Sequence, residues 1–277
     1  MKTFSKKPGN ERLRDIPCPL CGSEKFKKQW KEENPFVKCA GCGCVYQNPQ
    51  PLPQDLAGRY DGEYLEYELG NEVNFFNLMK LGLKDIRFDD VEEEIGPGGS
   101  IIDVGCATGM LLEYMKGRGW RTLGIEVCAP AARYGIENRK VDIHIGPLES
   151  AALPDSSFDV VHCSHLIEHL NSPSLFIKDV YRILKPGGYF IVTTPNIAGF
   201  QAKIFKYKWR SAIDDHMVLF SKGILKRNLI GSGFSIIRSK TWGGLAVGAG
   251  SGILKPLLDW SAKRFGFGDV MIFLARK

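Results

Sequence analysis

The sequence predicts an α/β fold built on a doubly wound, mostly parallel sheet of seven strands. Three observations support this prediction. Short β-like apolar runs recur over residues 99–277, helical patterns lie between most of them, and one run leads through a glycine turn into a helix. The strand candidates are Ser100–Val104, Arg121–Glu126, Val141–Ile145, Phe158–Cys163, Gly188–Thr194, Phe234–Thr241 and Val270–Ala275. The turn Pro186-Gly187-Gly188 is predicted to end a helix over Leu175–Leu184 and to begin the fifth strand.

Composition divides the chain into three regions. Residues 1–53 are rich in Cys, Lys and Pro and end in a proline-rich stretch that cannot be helix interior. We predict that they form a small zinc-ribbon-like module. Residues 54–98 are polar and helical in pattern, which predicts a helical linker or cap. Residues 99–277 form the α/β domain. Near its end, Ile253 to Phe265 has an apolar side and predicts a lid, a dimer surface or an interfacial helix.

The length, termini and charge narrow the class of protein. The 277 residues suffice for one catalytic domain and a small module. No apolar run follows Met1–Lys7, so we expect no signal peptide and a cytoplasmic protein, and Thr241–Leu254 is too short to span a bilayer. Residues 196–277 carry fourteen Lys/Arg and four Asp/Glu. This basic region could attract an anionic small molecule, RNA or a membrane surface, and a solvated basic face is the alternative.

Two pairs of cysteines near the N-terminus have the spacing of a metal site. The pairs are Cys18-Pro19-Leu20-Cys21 and Cys39-Ala40-Gly41-Cys42. Two intervening residues let both thiolates of a pair face one tetrahedral ion, and a segment this small has too few apolar residues for its own core. We therefore predict a structural Zn²⁺ bound by these four cysteines. Cys44 is an alternative ligand, and redox activity is the competing hypothesis that two matched pairs disfavour.

The first strand of the α/β domain runs into the loop Asp103-Val104-Gly105-Cys106-Ala107-Thr108-Gly109. A dinucleotide fold would have a third glycine for the pyrophosphate. S-adenosylmethionine (SAM) has no phosphate and carries two cationic centres, which an acid ahead of the glycines suits. Glu126 ends the next strand, seventeen residues after Gly109, and could accept hydrogen bonds from both ribose hydroxyls. Alternatively, Asp103 forms a turn and Glu126 caps a helix.

Residues 100–194 resemble the class I SAM-dependent methyltransferases, which have a Rossmann-like fold. Asp103–Gly109 resembles their first motif, Gly124-Ile125-Glu126 the second, Phe158-Asp159-Val160-Val161 the fourth-strand motif, and Arg182–Gly188 followed by Thr194-Pro195-Asn196 the fifth. The resemblance implies a set of SAM-contacting residues, namely Asp103, Gly105, Cys106, Ala107, Gly109, Glu126, Val127, Leu148 and Ser164. Pro147 departs from the family's usual acid, so the adenine contact is expected from the Leu148 backbone. The cysteine module and the stretch His216–Ser221 resemble a bacterial subgroup of these enzymes.

A cluster of histidines and one acid follows the fourth strand. On a turn of helix, His165, Glu168 and His169 would share one face, which supplies the material of a general base or a metal site. The stretch resembles the Glu-x-x-Glu-His pattern that binds a divalent metal in ubiquinone-pathway O-methyltransferases and small-RNA 2′-O-methyltransferases. Here His165 replaces the first acid, and His216 could be the later ligand. The catalytic candidates are therefore His165, Glu168, His169 and His216, and a structural role for Glu168 and His169 is the alternative.

The leading hypothesis is a SAM-dependent methyltransferase that modifies oxygen or carbon of a small molecule such as a sugar, a lipid or a polyketide- or quinone-like intermediate. The alternatives are a 2′-O RNA methyltransferase and an inactive SAM-binding scaffold. After the fifth strand, basic and aromatic residues alternate from Lys203 to Arg210. That mixture suits nucleotides, sugar phosphates or lipid headgroups, and an amphipathic cover over the active site is the alternative.

Overall fold

A computed structural model describes residues 11–243, 262–263 and 265–277 of the chain. Within these residues the strands are β1 (Leu13–Arg14), β2 (Phe26–Lys28), β3 (Phe36–Cys39), β4 (Val45–Gln47), β5 (Gln50–Pro51), β6 (Ser100–Val104), β7 (Arg121–Glu126), β8 (Ile143–Ile145), β9 (Phe158–Ser164), β10 (Leu184–Pro195), β11 (Val218–Leu219), β12 (Ser235–Trp242) and β13 (Val270–Arg276). The α-helices are α1 (Pro53–Leu56), α2 (Gly62–Asp85), α3 (Phe88–Ile95), α4 (Met110–Gly117), α5 (Ala129–Tyr134), α6 (Pro173–Ile183), α7 (Phe200–Phe205) and α8 (Lys222–Gly231).

Seven strands form the main sheet in the order β12-β13-β10-β9-β6-β7-β8. Neighbouring strands from β10 to β8 are parallel, and β13 runs antiparallel to both β10 and β12. The predicted doubly wound, mostly parallel seven-stranded sheet is therefore confirmed. The fifth strand begins earlier than expected, at Leu184, and its pairing with β9 is irregular up to Tyr189. Pro186 explains the irregularity because it has no N–H to give to a sheet ladder.

The winding of the sheet places a ligand site beside β6. From β6 the chain goes outward to β7 and β8, then crosses back to β9 and β10 on the other side. Open α/β sheets bind ligands at such a reversal, beyond the carboxyl ends of the strands. The loops that follow β6, β7 and β9 meet at this edge, and they contain the sequence-predicted cofactor and catalytic residues.

Helix α2 lies over the loops at this edge. It begins at Asp61, whose side chain accepts a hydrogen bond from the Glu63 N–H at 3.1 Å, and it packs against α4 and α5. Buried residues of α2 and α3, including Leu83 and Phe88, share a core cluster with Ile101 and Ile191 on one face of the sheet. The region predicted to be helical between residues 54 and 98 thus covers one sheet face and the site edge.

The cysteine module packs into the α/β domain. Strands β2, β3 and β4 form an antiparallel sheet that β11, from the far part of the chain, extends by pairing with β4. Tyr46 and Cys44 of the module are fully buried in the same cluster as Met217 and Phe220. Side chains of the module and of the α/β domain bury each other in this cluster, so the hydrophobic stabilisation of the module depends on its contact with the domain.

In the residues that the structure describes, none of the helices has both the length and the apolar character needed to cross a membrane. The predicted amphipathic segment falls almost entirely outside the described residues, since Ile253, Leu254, Leu257 and Leu258 all lie between residues 244 and 261.

Candidate active site

The loop after β6 has a tight backbone that requires glycine at Gly109. Gly105, Ala107 and Gly109 all have positive φ, at 76°, 47° and 75°. A Cβ on Gly109 would lie 2.8 Å from Val141 Cγ2, and one on Gly105 would lie 3.3 Å from the Leu166 side chain. The conformation and the close packing together exclude larger residues at Gly109. The loop thereby brings backbone N–H groups to the carboxyl end of β6, next to the start of α4.

Glu126 ties this loop to the end of β7. Its Oε2 accepts a hydrogen bond from the Ala107 N–H at 2.8 Å, and its Oε1 accepts one from the Cys128 N–H at 2.7 Å. The residue is 4% exposed. Burial raises the pKa of Glu126, and the hydrogen bonds from backbone N–H groups oppose that rise. The carboxylate is therefore fixed in orientation at the point where the resemblance places a ribose.

Asp103 is paired with a histidine that the sequence did not single out as a partner. The Nδ1 of His162 lies 2.7 Å from Asp103 Oδ1, and both side chains are buried. A carboxylate only accepts hydrogen bonds, so the imidazole donates. The two residues are direct register partners on the adjacent strands β6 and β9. Only the pairing register of β6 and β9 predicts this contact, and the local sequence does not give that register.

The other sequence-predicted cofactor residues differ in accessibility. Cys106 and Leu148 are buried, Ser164 ends β9 half-buried, and Val127 is 46% exposed. The Gly146 N–H donates to the Glu126 carbonyl at 2.8 Å, which holds the segment before Leu148 against β7. These residues therefore surround the carboxyl ends of β6, β7 and β9, where the resemblance puts the adenosine and methionine parts of SAM.

Acidic and phenolic side chains of α2 face the cofactor loop. Glu72 Oε2 accepts hydrogen bonds from the Thr108 hydroxyl at 3.3 Å and from Arg139 Nη2 at 2.6 Å. One turn earlier, burial raises the pKa of Glu68 to about 7, with Glu126 adding to the rise and Tyr64 opposing it. The residues at positions 64, 68 and 72 lie four apart, so they share one face of the helix. Helix α2 thus closes one side of the candidate SAM pocket with a second carboxylate near Glu126.

We expect Glu68→Gln to stabilise the folded protein at alkaline pH. The pKa of Glu68 is raised in the folded state, so folding retains a proton that the unfolded chain releases, and stability falls as pH rises from about 4.5 through about 7. The neutral amide removes this cost, which has an upper limit of roughly 3 kcal/mol. Thermal unfolding should show a higher midpoint for the variant at pH 8.5 and a smaller difference at pH 5.5. The exposed Glu66 on the same helix provides the control, Glu66→Gln; equal shifts in both variants would contradict the assignment.

His165 and Glu168 form a hydrogen-bonded pair directly after β9. His165 has a positive φ of 53°, and its Nδ1 lies 3.1 Å from Glu168 Oε1. Glu168 is buried, and its Oε2 accepts a hydrogen bond from the Thr194 hydroxyl at 2.9 Å. Burial would raise the pKa of Glu168, but the hydrogen bond from His165 and the nearby imidazoles lower it to about 2. The His165 side chain is half exposed, so its second nitrogen can meet a ligand.

His169 and His216 pack against each other behind this pair. Their ring centroids are 4.7 Å apart in an edge-to-face arrangement. His216 is 6% exposed and its Nδ1 lies 2.8 Å from the Ser211 carbonyl, while burial lowers its pKa to about 3. The Nδ1 of His169 is buried and has no hydrogen-bond partner among the residues that the structure describes. One donor atom each from Glu168, His169 and His216 falls within 4.8 Å of the others, so the structure brings three of the four predicted catalytic residues close enough to share a ligand.

The four predicted zinc ligands converge in the module. Their ligand atoms all lie within 4.8 Å of one another, with Cys18 Sγ 3.5 Å from Cys42 Sγ and Cys21 Sγ 3.6 Å from Cys39 Sγ. A tetrahedral ion with metal–sulfur bonds of about 2.3 Å needs sulfurs roughly 3.8 Å apart, which these separations approach. Backbone N–H groups of Gly41 and Cys42 donate to Cys39 Sγ, as expected for a thiolate. The donor set therefore fits zinc.

The order of the seven strands, the glycine loop after β6 and the acid at the end of β7 are the features of the class I, Rossmann-like methyltransferase fold. The sequence model of the family described as "Methyltransferase domain" matches residues 63–239, and the chain belongs to this family. The expectation of a methyltransferase domain with a Rossmann-like fold is confirmed.

Individual proteins that are similar to this chain have names that agree with this family. The chain is 35% identical over 100 residues to a Mycolicibacterium smegmatis protein named Probable S-adenosylmethionine-dependent methyltransferase, covering 36% of this chain and 39% of the relative. It is 31% identical over 150 residues to the Ubiquinone biosynthesis O-methyltransferase of Hahella chejuensis, covering 52% and 59%. The chain thus spans about two-fifths to three-fifths of the length of these relatives. The structure of a SAM-dependent methyltransferase from Archaeoglobus fulgidus superposes on this chain with a TM-score of 0.53 at 20% sequence identity. The match covers 73% of this chain and 99% of that protein, which shows that the fold is shared.

Proposed function

We propose that this protein transfers the methyl group of SAM to a hydroxyl oxygen of a small-molecule acceptor. The observation that carries the proposal is the half-exposed imidazole of His165, held by the buried carboxylate of Glu168 at the carboxyl end of β9. This edge of the sheet is also the candidate SAM site. The name of the Hahella chejuensis relative, an O-methyltransferase of ubiquinone biosynthesis, supports a quinone-like or phenolic acceptor.

In the proposed reaction, His165 acts as the general base. Its Nδ1–H donates to Glu168, which leaves Nε2 unprotonated and able to accept a proton from the acceptor hydroxyl. The hydroxyl oxygen forms a bond to the methyl carbon as the carbon–sulfur bond breaks, and the bonding electrons go to sulfur to give S-adenosylhomocysteine. Because SAM is already reactive, the protein contributes mainly alignment of the two reactants. Glu168 is a positioning residue that Thr194 orients in turn.

The cluster of Glu168, His169 and His216, in which Glu168 and His216 are buried and His169 is half-buried, gives His216 a role behind the base. A divalent ion held by these three residues would supply Lewis-acid chemistry beside Glu168, the carboxylate that also holds His165. Two features fit such an ion. The buried Nδ1 of His169 has no partner within the described part of the chain, and the Nδ1 of His216 contacts the Ser211 carbonyl, which leaves its Nε2 as a ligand. His216 is too buried to meet the acceptor, so we assign it to this group of three.

SAM and zinc fit their proposed sites on chemical grounds. The Glu126 carboxylate would hold the ribose hydroxyls, and the loop from Gly105 to Gly109 would border the methionine part. A structural Zn²⁺ would be held by Cys18, Cys21, Cys39 and Cys42. Cys44 is buried beside this group, where its thiol lies near the Val45 carbonyl and hydrogen-bonds with Cys18, so we propose that it supports the module from within the core.

We expect His165→Asn to lower the rate of methyl transfer by a factor of roughly 10²–10⁴, the usual contribution of a general base. Asparagine keeps a polar side chain of similar reach but cannot take the proton. The measurement is S-adenosylhomocysteine formation with a panel of catechol, phenol and sugar acceptors, together with SAM affinity, which should not change. His144→Asn is the matched control, since this histidine lies on β8 and contacts Ser150. Undiminished transfer by the His165 variant would refute the base assignment.

Methylation of an RNA 2′-hydroxyl is the second candidate function. It is favoured by the basic surface around α7, where Lys203, Lys206 and Lys208 are exposed beside Phe205, which is 49% exposed. Exposed cations next to an aromatic ring suit phosphates and unstacked bases. The same assay with RNA in place of the small acceptors separates the two candidates: transfer to RNA that falls steeply with salt would replace the small-molecule proposal.

A further inference from the structure

We propose that Gln47 of the cysteine module is a positioning residue that fixes His216 in the active site. This inference rests on the proposed function, because His216 belongs to the group around Glu168. Gln47 is the last residue of β4 and is only 4% exposed. It joins two regions of the chain that are far apart in sequence.

The side-chain amide of Gln47 faces the turn that ends at His216. Its Nε2 donates to the carbonyl oxygens of Asp214 and His216, both at 2.9 Å, and lies 3.3 Å from that of Ile213. The backbone N–H of Gln47 donates to the Met217 carbonyl at 2.9 Å. An amide NH₂ group has two protons, so these carbonyls use its entire donor capacity. One buried side chain thus holds the backbone on both sides of the His216 Cα.

The held turn determines where the imidazole lies. The Nδ1 of His216 meets the Ser211 carbonyl within the same turn, and the ring packs edge-to-face on His169. Immediately after the turn, β11 pairs with β4 through Val218 and Tyr46. A shift of the turn away from β4 would therefore move His216 relative to the buried group that it completes.

The arrangement gives the zinc-ribbon-like module a role in the reaction besides folding. Gln47 is three residues beyond Cys44, and β3 places Cys39 beside β4. The four cysteines set the position of the β3–β4 ribbon, and the ribbon sets the position of the His216 turn. We therefore infer that zinc, where bound, supports the active site through Gln47.

The test compares Gln47→Met with Tyr46→Phe. Methionine has nearly the length and volume of glutamine but no donors, so packing is kept while the hydrogen bonds are lost. Tyr46→Phe changes a neighbouring buried residue whose hydroxyl bonds to none of the described residues, which makes it the matched control. Gln47→Ala serves as a second variant in case the methionine variant folds poorly. Each protein is characterised by its zinc content, its SAM affinity and its thermal unfolding.

The primary readout is the imidazole NMR signal of His216 in histidine-labelled protein, which is independent of activity. The chain has five histidines, so the spectrum of His216→Ala assigns the signal. We expect Gln47→Met to shift or broaden this signal and to lower kcat by about 10- to 100-fold, as loss of a supporting hydrogen bond does at metal sites, with KM for SAM unchanged. Tyr46→Phe should change none of these quantities.

Two results separate this inference from the proposed function. An unchanged His216 signal in a folded, zinc-containing Gln47→Met protein would overturn the positioning role. A shifted signal in Gln47→Met combined with full activity of His216→Ala would instead support the positioning of the turn and remove His216 from the proposed reaction.

Discussion

Replacing Glu126 with alanine is expected to weaken SAM binding by about 100-fold. The buried carboxylate would accept hydrogen bonds from two ribose hydroxyls, and bonds to a charged acceptor contribute about 1.5–3 kcal/mol each. The loss of about 3 kcal/mol corresponds to the expected change in Kd. Glu126 also accepts from the N–H groups of Ala107 and Cys128, so the substitution loosens the cofactor loop as well. Isothermal titration calorimetry with SAM and with S-adenosylhomocysteine measures the effect.

Two companion variants make this result specific. Glu126→Gln retains one oxygen acceptor, so its affinity should lie between those of the alanine variant and the wild type. Glu149→Ala removes an exposed acid near the expected adenine contact and should leave the affinity unchanged. Wild-type affinity in a folded Glu126→Ala protein would refute the cofactor assignment at the end of β7.

The sequence predicted the sheet and the edge of the site because both depend on local patterns. Strands Ser100–Val104 and Arg121–Glu126 have the predicted bounds, since apolar runs bordered by glycines and acids are short-range signals. The same holds for the two cysteine pairs, whose spacing alone brings two thiols to one point. These features need no knowledge of which segments meet in the folded chain.

The remaining features of the site depend on contacts between distant segments. The face of α2 with Tyr64 and Glu68 is recognisable as one side of a helix, but only the packing of α2 on α4 and α5 turns it toward Glu126. The pairing of Asp103 with His162 depends on strand register. Gln47 reaches the His216 turn across more than 160 residues of sequence, a separation at which residue types carry no pairing signal.

Removing one zinc ligand is expected to destabilise the whole protein. In Cys21→Ser the exposed position of the thiol limits any loss of packing, so the effect reports on the metal. Structural zinc contributes binding free energies of about 10–16 kcal/mol in small zinc domains. We therefore expect the zinc content to fall from about one ion per chain toward none and the unfolding midpoint to fall by roughly 10 °C or more. Mass spectrometry under native conditions and calorimetry measure the two changes.

The shared core determines how far this destabilisation spreads. Because Cys18 and Tyr46 pack in one cluster with Met217 and Phe220, loss of zinc should unfold the module and the His216 turn in a single transition. Cys44→Ala is the control: the structure places this thiol outside the group of four, so zinc should be retained. Loss of zinc in Cys44→Ala would make Cys44 a ligand. A separate low-temperature transition in Cys21→Ser, with SAM binding and His216 undisturbed, would show that the module folds independently of the catalytic domain.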